Sequence, residues 1–241
     1  MADPSSFTYT ELRASFPHEK KRSDPMFCRF FLRPLSFPVA WFLCRMGRSA
    51  NQITLASMAL SLAAFVVLIP GAFFLSFTAA ILLLTVALGD CVDGNIARLR
   101  GDSGPSGEWM DALCGYTVYA LLPLALGLQL ELVGAHSLFA GMWVLVGAVT
   151  AISNLYLRLV YQKYVNSVKP IQFGEDDAGE KSGLLSRISG EVGLVGWMMP
   201  ALLVAVLLGV EPLYLLFYCA FYFTAAVVGT IVLARRILRT G

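Results

Sequence analysis

Asp90-Cys91-Val92-Asp93-Gly94-Asn95-Ile96-Ala97-Arg98, followed by Gly107 and Asp111, gathers three carboxylates and an arginine at the end of a long apolar run. An unpartnered charge is costly in such surroundings, so these groups need a partner. On a helix the 3.6-residue repeat sets Asp90, Asp93 and Ala97 on one face, where two carboxylates converge beside a small residue. That pattern suits a divalent cation. Gly94 clears the backbone for a close ligand, and Arg98, one turn further on, offers a planar fork that matches phosphate. Gly107 and Asp111 open the next apolar run, so a second helix can bring a third carboxylate to the same point. Hard oxygen ligands of this kind select Mg²⁺ or Mn²⁺, which keep several waters and recruit substrate phosphates. The competing reading is three structural acids neutralised by Arg98 and Arg100.

The elements that must position these residues follow from composition. Of the 241 residues, 57% are hydrophobic and 14% charged, and the mean hydropathy is +0.70. These values indicate an all-α integral membrane protein. From Ser49 to Gly89 there is no charge, a run about twice the roughly 20 residues of one span, so it must fold back, at Pro70-Gly71. Further spans are expected at about 108–130, 134–161, 191–209 and 212–234, six transmembrane helices in all. With a cytosolic N-terminus, all 18 Lys and Arg fall on the cytosolic side, which places the aspartates at that face too.

Ahead of the spans, Met26 to Gly47 is rich in Phe and Leu but interrupted by Arg29, Arg33 and Arg45. It reads as an N-terminal interfacial amphipathic helix, broken near Pro34 and Pro38. The expected organisation is a polar cytosolic lead-in over 1–25, loosely ordered or lying along the surface, the interfacial helix over 26–47, a six-helix domain over 48–235 and a basic cytosolic tail over 236–241. The lead-in is polar, so no signal peptide is expected. The five cysteines form no CxxC pair and read as small apolar residues. Glu175-Asp176-Asp177 reads as a solvated charge run, and the absence of any basic-aromatic pattern argues against nucleic acid as a partner.

Asn51 and Thr54 open the first span, where helix capping and ligand contact are both open readings. Arg158 and Lys163 end the fourth span and either bind an anionic acceptor or lipid phosphate, or snorkel to the surface. His136 falls on the far face and is set aside.

The motif resembles the signature of the CDP-alcohol phosphotransferase (phosphatidyltransferase) family, D-x2-D-G-x2-A-R-x8-G-x3-D-x3-D, through Asp90, Asp93, Gly94, Ala97, Arg98, Gly107 and Asp111. Gly115 stands where the family has its last aspartate. The resemblance implies a transferase that moves a substituted phosphate from CDP-diacylglycerol or another CDP-alcohol to an acceptor and releases CMP, as in phospholipid biosynthesis. It implies two Mg²⁺ or Mn²⁺ ions held by Asp90, Asp93 and Asp111, and a CDP site shaped by Gly94, Ala97, Arg98 and Gly107. An Asn-x2-Thr at the nucleotide site matches Asn51 and Thr54. It further implies an N-terminal juxtamembrane helix, a homodimer, and a place in the cytoplasmic membrane with lipid around it. The family's last aspartate is the general base. With Gly115 there, three explanations compete: binding without turnover; a substitute such as Asp102, Glu108 or a metal-bound hydroxide; or an acceptor phosphate that needs little deprotonation. A transporter using the acids as an ion relay is a further alternative, although such acids belong near mid-bilayer.

Overall fold

A computed structural model describes residues 8–17, 23–101, 104–135, 141–167 and 190–240, and among them it contains helices and no strand. The helices are α1 (Tyr9–Ala14), α2 (Arg33–Arg45, entered through a π-helical turn Cys28–Leu32), α3 (Ala50–Leu68), α4 (Phe73–Arg100) and α5 (Pro105–Leu132). After these come α6 (Trp143–Ser167), α7 (Met199–Leu208, entered through a π-helical turn Leu194–Met198) and α8 (Glu211–Thr240). Five of them, α3 to α6 and α8, are long and apolar enough to cross a membrane. The chain forms two compact units, the first drawn from Met1–Ala64, Phe77–Thr117 and Ser182–Val204, the second from Phe65–Ser76, Val118–Lys181 and Ala205–Gly241.

The first unit holds the motif and the N-terminal helices. Thr8 caps α1 in a reciprocal box, its hydroxyl accepting from the Glu11 amide while the Glu11 carboxylate accepts from the Thr8 amide at 2.8 Å. Those bonds hold the Glu11 carboxyl below its usual range. Leu12 is buried in a cluster with Ala40 of α2 and Val92 and Ile96 of α4. The described part of the polar lead-in is therefore a docked helix, not loose or surface-lying chain: Leu12 and Phe16, one helical turn apart, supply an apolar contact that the average composition conceals.

The break expected near Pro34 and Pro38 does not occur. Helix runs through both prolines, because the turn before Pro34 widens so that the Arg33 amide reaches back to Cys28 O. Nor does Arg33 sit at a surface. The exposed face carries Phe30, Phe31, Leu35, Phe42 and Met46, while Arg33, Ser36, Ala40 and Cys44 are buried. α3 begins with a second reciprocal cap, Ser49 with Gln52, and ends at the predicted turn, where Gly71 adopts a left-handed φ of 74° open to glycine at little cost. Close packing of α3 on α4 is permitted by Gly89, where a Cβ would collide with the Ser57 hydroxyl.

The expected fifth span, 191–209, is instead a shorter apolar helix, Leu194–Leu208. Gly196 is non-helical (φ −88°, ψ −131°), and a Cβ there would strike the backbone carbonyls of Gly190 and Glu191. Hydropathy alone does not register this kink, which shortens the regular apolar helix.

In the second unit α6 packs along α8, with Leu157 closing on Gly229. α5 crosses α6 with backbones nearly touching. A Cβ on Gly127 would lie 2.5 Å from the Trp143 carbonyl and 3.3 Å from Gly147 Cα, and one on Gly147 would strike the Pro123 carbonyl. Gly127→Ala is thus expected to cost about 1–3 kcal/mol. It should lower the melting temperature in detergent, while Leu128→Ala at the neighbouring exposed position leaves it nearly unchanged.

Candidate active site

The motif residues are divided among three helices of the first unit. α3 brings Asn51 and Thr54; α4 brings Asp90, Asp93, Gly94, Ala97 and Arg98; α5 brings Gly107, Glu108, Asp111 and Gly115. α4 is continuous from Asp90 to Arg98, so Asp90, Asp93 and Ala97 share a face as the spacing requires.

Asp93 is only 7% exposed. The Thr54 hydroxyl donates to its Oδ2 at 2.7 Å, with Ala50 O also in reach at 3.1 Å. Capping and ligand contact were both open for Thr54, and its hydroxyl in fact buttresses the buried carboxylate. Asn51 is exposed and lies over Gly107, its Oδ1 3.7 Å from where a Cβ would stand. The two residues expected to line one ligand thus meet across α3 and α5. Asp111 is exposed, and its charge acts on Asp93; those two charges and that of Asp90 all act on the Cys114 thiol, which sits one turn along α5 from Asp111.

The charge of Arg98 also acts on Asp93, but no Lys or Arg among the described residues forms an ion pair with Asp93 or Asp111. No three His, Cys, Asp or Glu among the described residues are close enough to hold one metal ion by themselves. The donor set fits a hard divalent cation only where waters and substrate oxygens complete the coordination, which is the ordinary habit of Mg²⁺.

Gly94 is not open space. Arg98 folds back over it, both terminal nitrogens 3.3 Å from a Cβ built there. The Arg98 guanidinium donates through Nη2 to Asn95 Oδ1 at 2.7 Å, and its Nε is buried with no protein partner among the described residues. Ala97 is half-buried, Glu108 is exposed in the first turn of α5, and Gly115 is half-buried one turn beyond Asp111. Asp102 and the Glu175-Asp176-Asp177 run lie outside the described residues, as does His136.

Arg158 and Lys163 belong to the second unit. The Arg158 Nε donates to Asn154 Oδ1 at 2.8 Å and its guanidinium lies 3.7 Å over the Tyr119 ring, whereas Lys163 is exposed. Sequence reasoning missed Asn95, Ser36, Asp24 and Phe16, which surround Arg98 and Arg33. Asn95 occupies an unspecified position of the motif, and the others are remote in sequence, so no spacing signal could have found them.

Five helices of membrane-crossing length, with carboxylates on α4 and α5 and the Thr54 hydroxyl of α3 against one of them, define a multi-pass membrane protein with a polar site among its apolar helices. The family model for CDP-alcohol phosphatidyltransferase matches residues 48–232, and the chain belongs to that family. Its members are transferases that take a phosphate-linked group from a CDP-alcohol. No individual curated protein matches the chain.

Proposed function

We propose that this chain is a membrane transferase that moves the alcohol-phosphate part of a CDP-alcohol to an acceptor and releases CMP, with Asp90, Asp93 and Asp111 as ligands of two Mg²⁺ or Mn²⁺ ions. The observation that carries the reading is the buried Asp93 carboxylate, held by Thr54 and facing the charge of Asp111 from the next helix, inside the matched family region. When bound, the cations supply neutralisation of the pyrophosphate and stabilisation of the charge on departing CMP.

The chain's own residues do the rest. Thr54 fixes the rotamer of Asp93, the gap between Asn51 and Gly107 receives the nucleotide, and Arg98 holds a phosphate oxygen. The acceptor oxygen attacks phosphorus, the bond to the CMP phosphate oxygen breaks, and the acceptor proton passes to a carboxylate. At the family's base position Gly115 offers none. Glu108, exposed one turn before Asp111 on α5, is the substitute we assign, a less well-placed base than an aspartate at 115, with Asp102, close in sequence, as the other acid. Arg158 and Lys163 serve an anionic acceptor or lipid headgroup.

In this reading α8 is the sixth crossing and Leu194–Leu208 the fifth. Its 15 residues span about 22 Å, less than the ~30 Å of a bilayer core, so local thinning accompanies it. The termini and the site are cytosolic, the exposed apolar face of Cys28–Leu32 and α2 lies in the interface, and the protein works as a homodimer in the cytoplasmic membrane. A second reading, a member that binds CDP-lipid and cation without turnover, is favoured by Gly115 alone.

The assay is CMP release by purified protein with Mg²⁺, a panel of CDP-alcohols, and hydroxyl and phosphate acceptors. Release that stops with a chelator supports the transferase; Mg²⁺-dependent nucleotide binding without release supports the second reading. Thr54→Val is expected to weaken divalent-cation affinity about 10- to 100-fold, as loss of a ligand's outer partner does. Thr54→Ser should retain it. Mn²⁺ titration followed by electron paramagnetic resonance reads this directly.

A further inference from the structure

Asn95, at an unspecified position of the motif, bonds three side chains. It is 2% exposed. Its Oδ1 accepts from Arg98 Nη2 at 2.7 Å and from Arg33 Nη1 at 3.4 Å, and its Nδ2 donates to Ser36 Oγ at 2.9 Å. The amide orientation is fixed by chemistry, because the reverse would point its donors at two guanidinium groups. Ser36 in turn donates to Arg33 O at 2.9 Å. Arg33 is gripped by Asp24 through two bonds, Nε to Oδ2 at 2.6 Å and Nη2 to Oδ1 at 3.2 Å.

Burial works against the Arg33 charge, but the Asp24 bonds outweigh it and hold the group protonated more firmly than an exposed arginine. Asp24 therefore spends both its hydrogen bonds on Arg33 and acts on Arg98 only through its charge, as Asp93 does. Both guanidinium carbons stand over the ring of Phe16, at 4.7 Å for Arg33 and 5.2 Å for Arg98. Phe16, Asp24, Arg33 and Ser36 all precede residue 48, where the family match begins.

We propose that Asn95 is the positioning residue for Arg98, and that the segment ahead of the family match, through Phe16, Arg33 and Ser36, fixes Asn95 so that the Arg98 fork is held ready for a nucleotide phosphate. The inference rests on the function assigned above. A long arginine side chain left free would lose rotamer entropy on binding; one already held by an amide and a ring loses little. Arg98 is then preorganised by residues that no motif records.

The test uses the full chain in detergent with Mg²⁺ and CDP as the probe. Asn95→Ala is expected to weaken CDP binding about tenfold, the size of one charge-assisted hydrogen bond. Phe16→Leu, a milder change at a half-buried position, is expected to weaken it about threefold, the size of an exposed cation–π contact. With a CDP-alcohol that turns over, KM should rise in both variants while kcat per folded protein holds, because the phosphate is gripped alike in ground and transition states. A merely structural role would lower the melting temperature and the folded fraction but leave KM alone. CDP binding by the native chain that neither variant weakens overturns the inference and leaves the assigned function standing. Failure of the native chain to bind CDP overturns both.

Discussion

Asp93→Asn is expected to reduce CMP release by at least about 10²-fold while leaving the fold as stable as before or more so. The substitution keeps the shape of the side chain and an oxygen for the Thr54 hydroxyl, which now donates to Asp93 Oδ2 at 2.7 Å. What it removes is a negative charge that is only 7% exposed and faces the charge of Asp111. Without a cation, a charge in that position is a burden on the folded state, so its loss relieves desolvation and repulsion. Under the proposed function the same charge becomes a ligand of the cation that holds the pyrophosphate. Activity and stability are therefore expected to move in opposite directions, which an ordinary structural acid would not do. The checks are CMP release and melting temperature on the same preparations, with Thr54→Val as the companion that disturbs Asp93 without changing its charge. Unchanged release in Asp93→Asn would remove Asp93 from the site.

Gly115→Asp is expected to raise turnover about 10²- to 10⁴-fold, the ordinary worth of a positioned general base. Gly115 lies one turn beyond Asp111 in the uninterrupted α5, half-buried on the side that carries Asp111. Interior glycine is about 1 kcal/mol worse than alanine for a helix, so propensity does not explain its presence. Under the proposed function a carboxylate there supplies an acceptor-side proton sink one turn from Asp111. If the native chain already turns over rapidly and Gly115→Asp adds nothing, Glu108 is acting as the base. In that case Glu108→Gln should abolish the activity that Gly115→Asp failed to improve.

How far the structure could be read from the sequence depended on whether the signal was local. The turn at Pro70-Gly71 and the continuous helix under Asp90 to Arg98 follow from charge-free length, proline and glycine placement and 3.6-residue periodicity, whereas the next helix begins at Pro105, ahead of the expected 108. The pairing of Asn51 with Gly107 and of Thr54 with Asp93 was foreshadowed only through the motif, because both contacts join residues far apart in sequence.

Arg33 misled for a physical reason. A basic residue among phenylalanines looks like an interfacial anchor, and only the docking of α2 on α4 reveals that it faces inward to Asp24 and Asn95. The helix at 191–209 is shorter than hydropathy alone suggests, because Gly193 is extended and Gly196 non-helical, which hydropathy does not register. Asn95 carried no signal at all: its importance comes from Ser36 and Arg33, and neither is near it in the chain.

The most direct measurement is calorimetric titration of the purified chain with CDP, in Mg²⁺ and again in chelator. Binding that requires Mg²⁺ and disappears in Asp93→Asn is the expected result, since the nucleotide phosphates and the α4 and α5 carboxylates must share the cation. Equal binding in chelator, or no binding by the native chain in Mg²⁺, would contradict the assignment of Asp90, Asp93 and Asp111 as a cation-dependent CDP-alcohol site.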